Sequence, residues 1–197
     1  MVPFGHAPTR FEPANGDRGR VAIVLPGAGY SPAHPVLEIA RLALLQQGWT
    51  VQQVWWEAPS DRFDDVDGTV GWVCRQAEAS LAAETAADAL LLAGKSLGTL
   101  AAKVAASRQL PAVWFTPLLD VGRAPPRYAR PRPPRLLVGG GSDESWPATI
   151  AERLGGDQLV LEGADHGLVV SGDVAATAHG WGRLAERVTA FFAALPR

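Results

Sequence analysis

Residues 89–108 read ALLLAGKSLGTLAAKVAASR, and the folding of this stretch decides the architecture. Its opening residues, Ala89 to Ala93, form an unbroken apolar run of strand length. Thr99 to Arg108 then place Leu100, Ala101, Val104 and Ala105 on one helical face, with small alanines that let a helix lie close to a sheet. Between the two stands Gly94-Lys95-Ser96-Leu97-Gly98, a G-x-S-x-G pentapeptide. Glycine at both ends removes the Cβ atoms that would collide in a sharp strand-to-helix turn, so Ser96 is expected to project its hydroxyl clear of the sheet. So short a pattern arises easily by accident in a chain with 21 glycines; the strand before it and the helix after it give it weight.

The same residues overlap the end of a phosphate-binding G-x-x-x-x-G-K-S loop. That loop needs a glycine where Ala89 stands and a flexible segment where Leu90, Leu91 and Leu92 form a strand. Without the loop there is no row of N–H groups to surround a phosphate. A dinucleotide-binding fingerprint fails in a similar way after the first strand, because Pro32 occupies its third glycine position.

With 197 residues, 47% of them hydrophobic and 19% charged, the chain suits a single domain, 1–197, with a sizeable core. A net charge of −2 offers no general attraction to nucleic acid or to an anionic membrane, and neither is an expected partner. The start, MVPFGHAPTRFEP, lacks a basic end followed by an apolar segment, and a cytoplasmic protein is expected. Cys74 is the only cysteine, which excludes an internal disulfide and a thiolate metal cluster. Abundant alanine and arginine, with Lys95 and Lys103 the only lysines, point to a GC-rich bacterial genome. Pro125 to Arg135, PPRYARPRPPR, reads as a stiff surface connection whose arginines are solvated.

Strands alternate with helices nearly throughout, the pattern of an α/β/α sandwich on a mainly parallel sheet. Six strands are expected: Arg20 to Leu25, Thr50 to Trp56, Ala89 to Ala93, Ala112 to Thr116, Arg135 to Gly139 and Gln158 to Glu162. Helices are expected over Val36 to Gln47, Val70 to Ala87, Thr99 to Arg108, Trp146 to Leu154 and Gly182 to Leu195. Open sheets of this kind gather the loops after their strand C-termini on one edge. That edge would hold Gly27 to Tyr30, Ser96, Asp120, Asp143 and His166.

A serine hydroxyl needs a base to take its proton and a third group to hold that base. Among the four histidines, His6 lies near the terminus, His34 begins the first helix and His179 falls between the last strand and the last helix. His166, in Gly163-Ala164-Asp165-His166-Gly167, follows the final strand onto the edge that carries Ser96. Asp143, reached from Leu136-Leu137-Val138-Gly139 through Gly140-Gly141-Ser142, is the first choice for the orienting acid. Asp120 is its main rival, with Glu144 and Asp165 as nearer-sequence alternatives that would serve to solvate or cap their loops. Donors for a developing oxyanion would come from the Leu97 N–H and from Pro26-Gly27-Ala28-Gly29-Tyr30, with Ala28 preferred over Gly29. Tyr30 and Trp146 are candidates to line a substrate site.

Ser96, Asp143 and His166, in that order and with a glycine-rich loop upstream, resemble the α/β-hydrolase superfamily. More narrowly, Gly94-Lys95-Ser96-Leu97-Gly98, Phe115-Thr116-Pro117-Leu118, Gly139-Gly140-Gly141-Ser142-Asp143 and Ala164-Asp165-His166-Gly167 resemble its small, capless, dienelactone-hydrolase-like members. Dienelactone hydrolases themselves carry cysteine where this chain has Ser96, and the superfamily's first two antiparallel strands have little room before Arg20. The resemblance implies a trimmed, lidless version of the fold and a cofactor-independent serine hydrolase acting on a small ester or thioester. The alternative is a non-catalytic binding scaffold on the same fold.

Overall fold

The computed structural model describes residues 8–14, 19–61, 64–119, 133–154 and 156–196. Its seven strands are β1 (Thr9–Phe11), β2 (Arg20–Leu25), β3 (Thr50–Gln53), β4 (Ala89–Lys95), β5 (Ala112–Phe115), β6 (Arg135–Gly140) and β7 (Asp157–Leu161). They form one sheet in the order β1-β3-β2-β4-β5-β6-β7. Only the β1–β3 pair is antiparallel. The expected six strands are all present, and β1 is an addition to them. It is a short edge strand of exposed and half-buried residues, so it lacks the apolar run that marks a strand covered on both faces.

The helices are α1 (Pro35–Gln46), α2 (Val66–Ala82), α3 (Ala102–Arg108), α4 (Ala148–Leu154) and α5 (Val174–Ala193), with a 3-10 turn over Ser96–Ala101 leading into α3. Two helices begin earlier than their apolar spacing predicts, and side-chain caps explain both. Asp65 accepts from the Gly68 N–H at 2.8 Å, which draws the expected Asp67-Gly68 turn into the first turn of α2. Asp173 accepts from the Ala176 N–H at 2.8 Å and starts α5 well before Gly182, so that His179 lies on this helix and not ahead of it. The Thr99–Arg108 helix is divided, its first part being the 3-10 turn.

Alternation along the buried strands sends side chains into two cores. Val21, Ile23, Leu25, Leu92, Trp114 and Leu137 pack with residues of α2, α3 and α4 on one face. Ala22, Val24, Leu91, Val113, Phe115 and Val138 pack with residues of α1 and α5 on the other. Every residue of β2, β3, β5 and β6 is buried, as strands covered on both faces require. The chain between β5 and β6 is too short for a cap domain, which takes ~50 residues or more. Asp120 and the prolines and arginines of 120–132, like His6, lie outside the described residues. Among the described residues no helix is long and apolar enough to cross a membrane.

Candidate active site

β4 delivers Ser96 to the C-terminal edge of the sheet, and the turn after it is as tight as glycine allows. A Cβ on Gly94 would sit 2.7 Å from the Gly98 carbonyl oxygen and 2.8 Å from the Trp114 ring. One on Gly98 would strike the Leu25 carbonyl and stand 2.7 Å from the Pro26 oxygen. Ser96 itself takes φ +50°, a left-handed conformation that a non-glycine residue holds only when its surroundings impose it. Within 91–100 it is the single position not fully buried. The Thr99 hydroxyl closes the turn, donating to the Ser96 carbonyl at 2.6 Å.

β6 and β7 bring the other two groups alongside. A Cβ on Gly140 would meet the Ala164 carbonyl and lie 2.5 Å from that of Asp165, so only glycine lets the two loops touch. The Ser142 N–H donates to the Ala164 carbonyl at 2.9 Å and ties the loops together. Asp143, its side chain 1% exposed, accepts from the Ser145 N–H at 2.9 Å through Oδ1. His166 Nδ1 lies 2.8 Å from Asp143 Oδ2 and 3.0 Å from Oδ1, and its Nε2 lies 2.8 Å from Ser96 Oγ. A carboxylate accepts only, so Nδ1 carries the ring proton and Nε2 is left as an acceptor facing the serine hydroxyl.

The alternative acids take other places. Asp165 closes its own loop, its Oδ1 accepting from the N–H groups of Gly167 at 2.8 Å and Val169 at 3.0 Å. Glu144 is exposed. Of the other described histidines, His34 stands at the N-cap of α1, 2.8 Å from the Ser31 hydroxyl, and His179 is exposed on α5.

The loop after β2 runs directly beside the serine. A Cβ on Gly27 would approach Ser96 Cβ to 3.5 Å and Tyr30 Cβ to 3.0 Å. The Gly27 N–H is committed to the Tyr30 carbonyl at 3.0 Å, and the Gly27 carbonyl accepts from Trp56 Nε1 at 3.1 Å. Both main-chain polar groups of Gly27 are therefore pinned, and Ala28 follows it with partial exposure. Leu97 is the second residue of the 3-10 turn, whose first N–H groups have no partner within the turn. Trp56 is a supporting residue that sequence reading passed over; its position just past β3, beside the β2 loop, was the available signal.

Tyr30 is half-buried, its hydroxyl accepting from the Val36 N–H at 3.0 Å, and burial pushes the phenol above its ordinary value. Trp146 corrects an expectation. It is 5% exposed and packs into the core on Gly139, where an added Cβ would strike its ring. It shapes the β6 loop from beneath and does not line an open site. Lys95, the residue before the serine, is also wholly buried. Among the described residues no three His, Cys, Asp or Glu side chains gather as a metal ion would require.

No family model matches the chain, and no curated protein does. Solved structures do. An α/β serine hydrolase homologue from Coxiella burnetii superposes with a TM-score of 0.71 at 18% identity, over 93% of this chain and 89% of that one. An α/β serine hydrolase without a lid from Xanthomonas campestris gives 0.60 at 19% identity, over 95% and 89%. Esterase 2 of Thermogutta terrifontis, in a form phosphorylated by paraoxon, gives 0.57 at 19% identity, over 95% and 90%. At these identities the likeness is one of fold, and the described residues have the α/β-hydrolase fold with no cap domain among them.

Proposed function

We propose that this α/β-hydrolase-fold protein is a serine hydrolase that cleaves a small ester or thioester through an acyl-Ser96 intermediate. One observation carries the reading: an unbroken hydrogen-bonded line from Ser96 Oγ through the His166 ring to the buried Asp143 carboxylate, with 2.8 Å at each junction. As Oγ attacks the substrate carbonyl carbon, its proton passes to His166 Nε2, and Asp143 stabilises the imidazolium that forms. The tetrahedral oxyanion is held by the N–H groups of Leu97 and Ala28. Collapse breaks the bond to the alcohol or thiol, which leaves with the proton from Nε2. Water then gives a proton to Nε2 and attacks the acyl carbon, and the returned proton restores Ser96. The named side chains, main-chain N–H groups and water suffice, with Tyr30 flanking the oxyanion loop as the expected substrate contact.

The orientation of the acid supports this more than any single residue type does. Asp143 is secluded from water and held by the Ser145 N–H as well as by the imidazole, so it is fixed before substrate arrives. The test is turnover of p-nitrophenyl esters of graded acyl length, and of a thioester, by the wild type and by Ser96→Ala. The expected result is wild-type turnover with a preferred chain length and its loss, on the order of 10³-fold or more, in Ser96→Ala. A folded wild type that turns over none of them, or a Ser96→Ala variant that keeps the wild-type rate, overturns the proposal.

A further inference from the structure

Lys95 is the most deeply buried cation among the described residues, and no part of the proposed reaction uses it. Its side chain is 1% exposed. Nζ donates to Thr116 Oγ1 at 2.6 Å and to the His166 carbonyl oxygen at 2.7 Å, and it lies 4.8 Å from the centre of the Tyr30 ring. Thr116, at the end of β5, holds φ +42°, which a β-branched residue adopts only under constraint. A lysine taken out of water costs stability, and an apolar chain of similar volume in its place is often neutral or better. Its three contacts come from the loops after β2, β5 and β7, and one of them is the backbone of the proposed general base.

We infer that Lys95 is a positioning residue. As a buried ammonium it clamps the main chain of His166 to the end of β5, and so fixes the imidazole between Ser96 and Asp143. The inference rests on the hydrolase reading above. The Ser142–Ala164 bond and the Asp165 side chain hold the loop on either side of His166, and the clamp holds it at the residue itself. A hydrogen bond from a charged donor is roughly twice as strong as a neutral one, so the clamp depends on the proton. The groups facing Nζ are Asp143 from the β6 loop, Asp165 and His166 from the β7 loop, Thr116 from β5 and Tyr30 from the β2 loop. Burial pulls the ammonium down to about 8, against the opposing pull of the Asp143 and Asp165 carboxylates. As pH rises through that value the charged donor becomes a neutral amine and the clamp slackens.

The experiment is the pH profile of kcat and KM for the best p-nitrophenyl ester with wild type, Lys95→Met, Lys95→Arg and Thr116→Val, each checked for fold by circular dichroism. The wild type is expected to show an alkaline fall in kcat centred near pH 8. Lys95→Met should lose about 10- to 100-fold in kcat with little change in KM, and should lack that fall. Lys95→Arg, which stays charged, should recover part of kcat and also lack the fall. Thr116→Val removes one acceptor from the ammonium and should move the fall to lower pH. If Lys95→Met does not fold, Thr116→Val decides: a displaced fall upholds the clamp and an undisplaced one overturns it. An active wild type whose Lys95→Met variant keeps both its kcat and the alkaline fall overturns the role of Lys95 alone. A folded wild type without turnover overturns the hydrolase reading and this inference with it.

Discussion

At Ser96 a left-handed φ of +50° is imposed on a residue with a side chain, and strain of this kind costs on the order of 1–3 kcal/mol. Ser96→Gly should therefore be more stable to urea than Ser96→Ala by about 1 kcal/mol, since alanine keeps the strain and glycine releases it. An alanine variant as stable as the glycine one would show that the turn is relaxed. Asp143→Asn leaves the shape of the site but removes the charge that orients the imidazole, and kcat should fall on the order of 10³- to 10⁴-fold. Asp120→Asn, made beside it, should lose little; the reverse result would transfer the acid's role to Asp120. Lys95 adds a prediction in which stability and activity move in opposite directions. Its folded value is depressed from 10.5 to about 8, so between those pH values the unfolded chain holds more protons than the folded one. The cost of burying the charge is complete below about 8 and is relieved as pH rises towards 10.5, a gain of up to roughly 3 kcal/mol. Unfolding midpoints should accordingly rise over the interval in which kcat falls, and a fall in both would mean that the alkaline loss is simply unfolding.

At the scale of elements, the site is made by close approaches that only glycine permits. Gly98→Ala drives a methyl group into the Leu25 carbonyl, and Gly140→Ala drives one into that of Ala164. Each should cost about 1–3 kcal/mol in chemical denaturation and displace, respectively, the serine or the Asp143 loop, with activity lost beyond the loss of stability. Asp173→Ala removes only the cap of α5 and should cost about 1 kcal/mol with turnover preserved. The same distinction explains what could be read in advance. Gly94 and Gly98 around Ser96, and the apolar runs of β2, β4, β5 and β6, carry their structural meaning locally, and the elements stand where their residues indicated. The start of α5 was obscured by Gly180 and Gly182, because the Asp173 cap and the packing of Leu184, Val188 and Phe192 outweigh weak local propensity. β1 has no apolar run because one β3 neighbour suffices at an edge. The burial of Trp146 follows from the missing Cβ of Gly139, and that of Lys95 from partners at Thr116 and His166; neither is a property of nearby sequence.

Across the described residues, one mainly parallel sheet covered on both faces brings three residues far apart in the chain to a single edge. The His166 side chain remains 39% exposed while Asp143 behind it is sealed, an arrangement that leaves the base reachable and its partner dry. With its base reachable from solvent, the site should react with small electrophiles. The most direct test of the convergence of Ser96, His166 and Asp143 is reaction of the folded protein with a fluorophosphonate, followed by peptide mapping. A single adduct on Ser96, formed far more slowly in His166→Ala, is the result expected. A folded protein that stays unmodified, or one modified equally fast without His166, would contradict it.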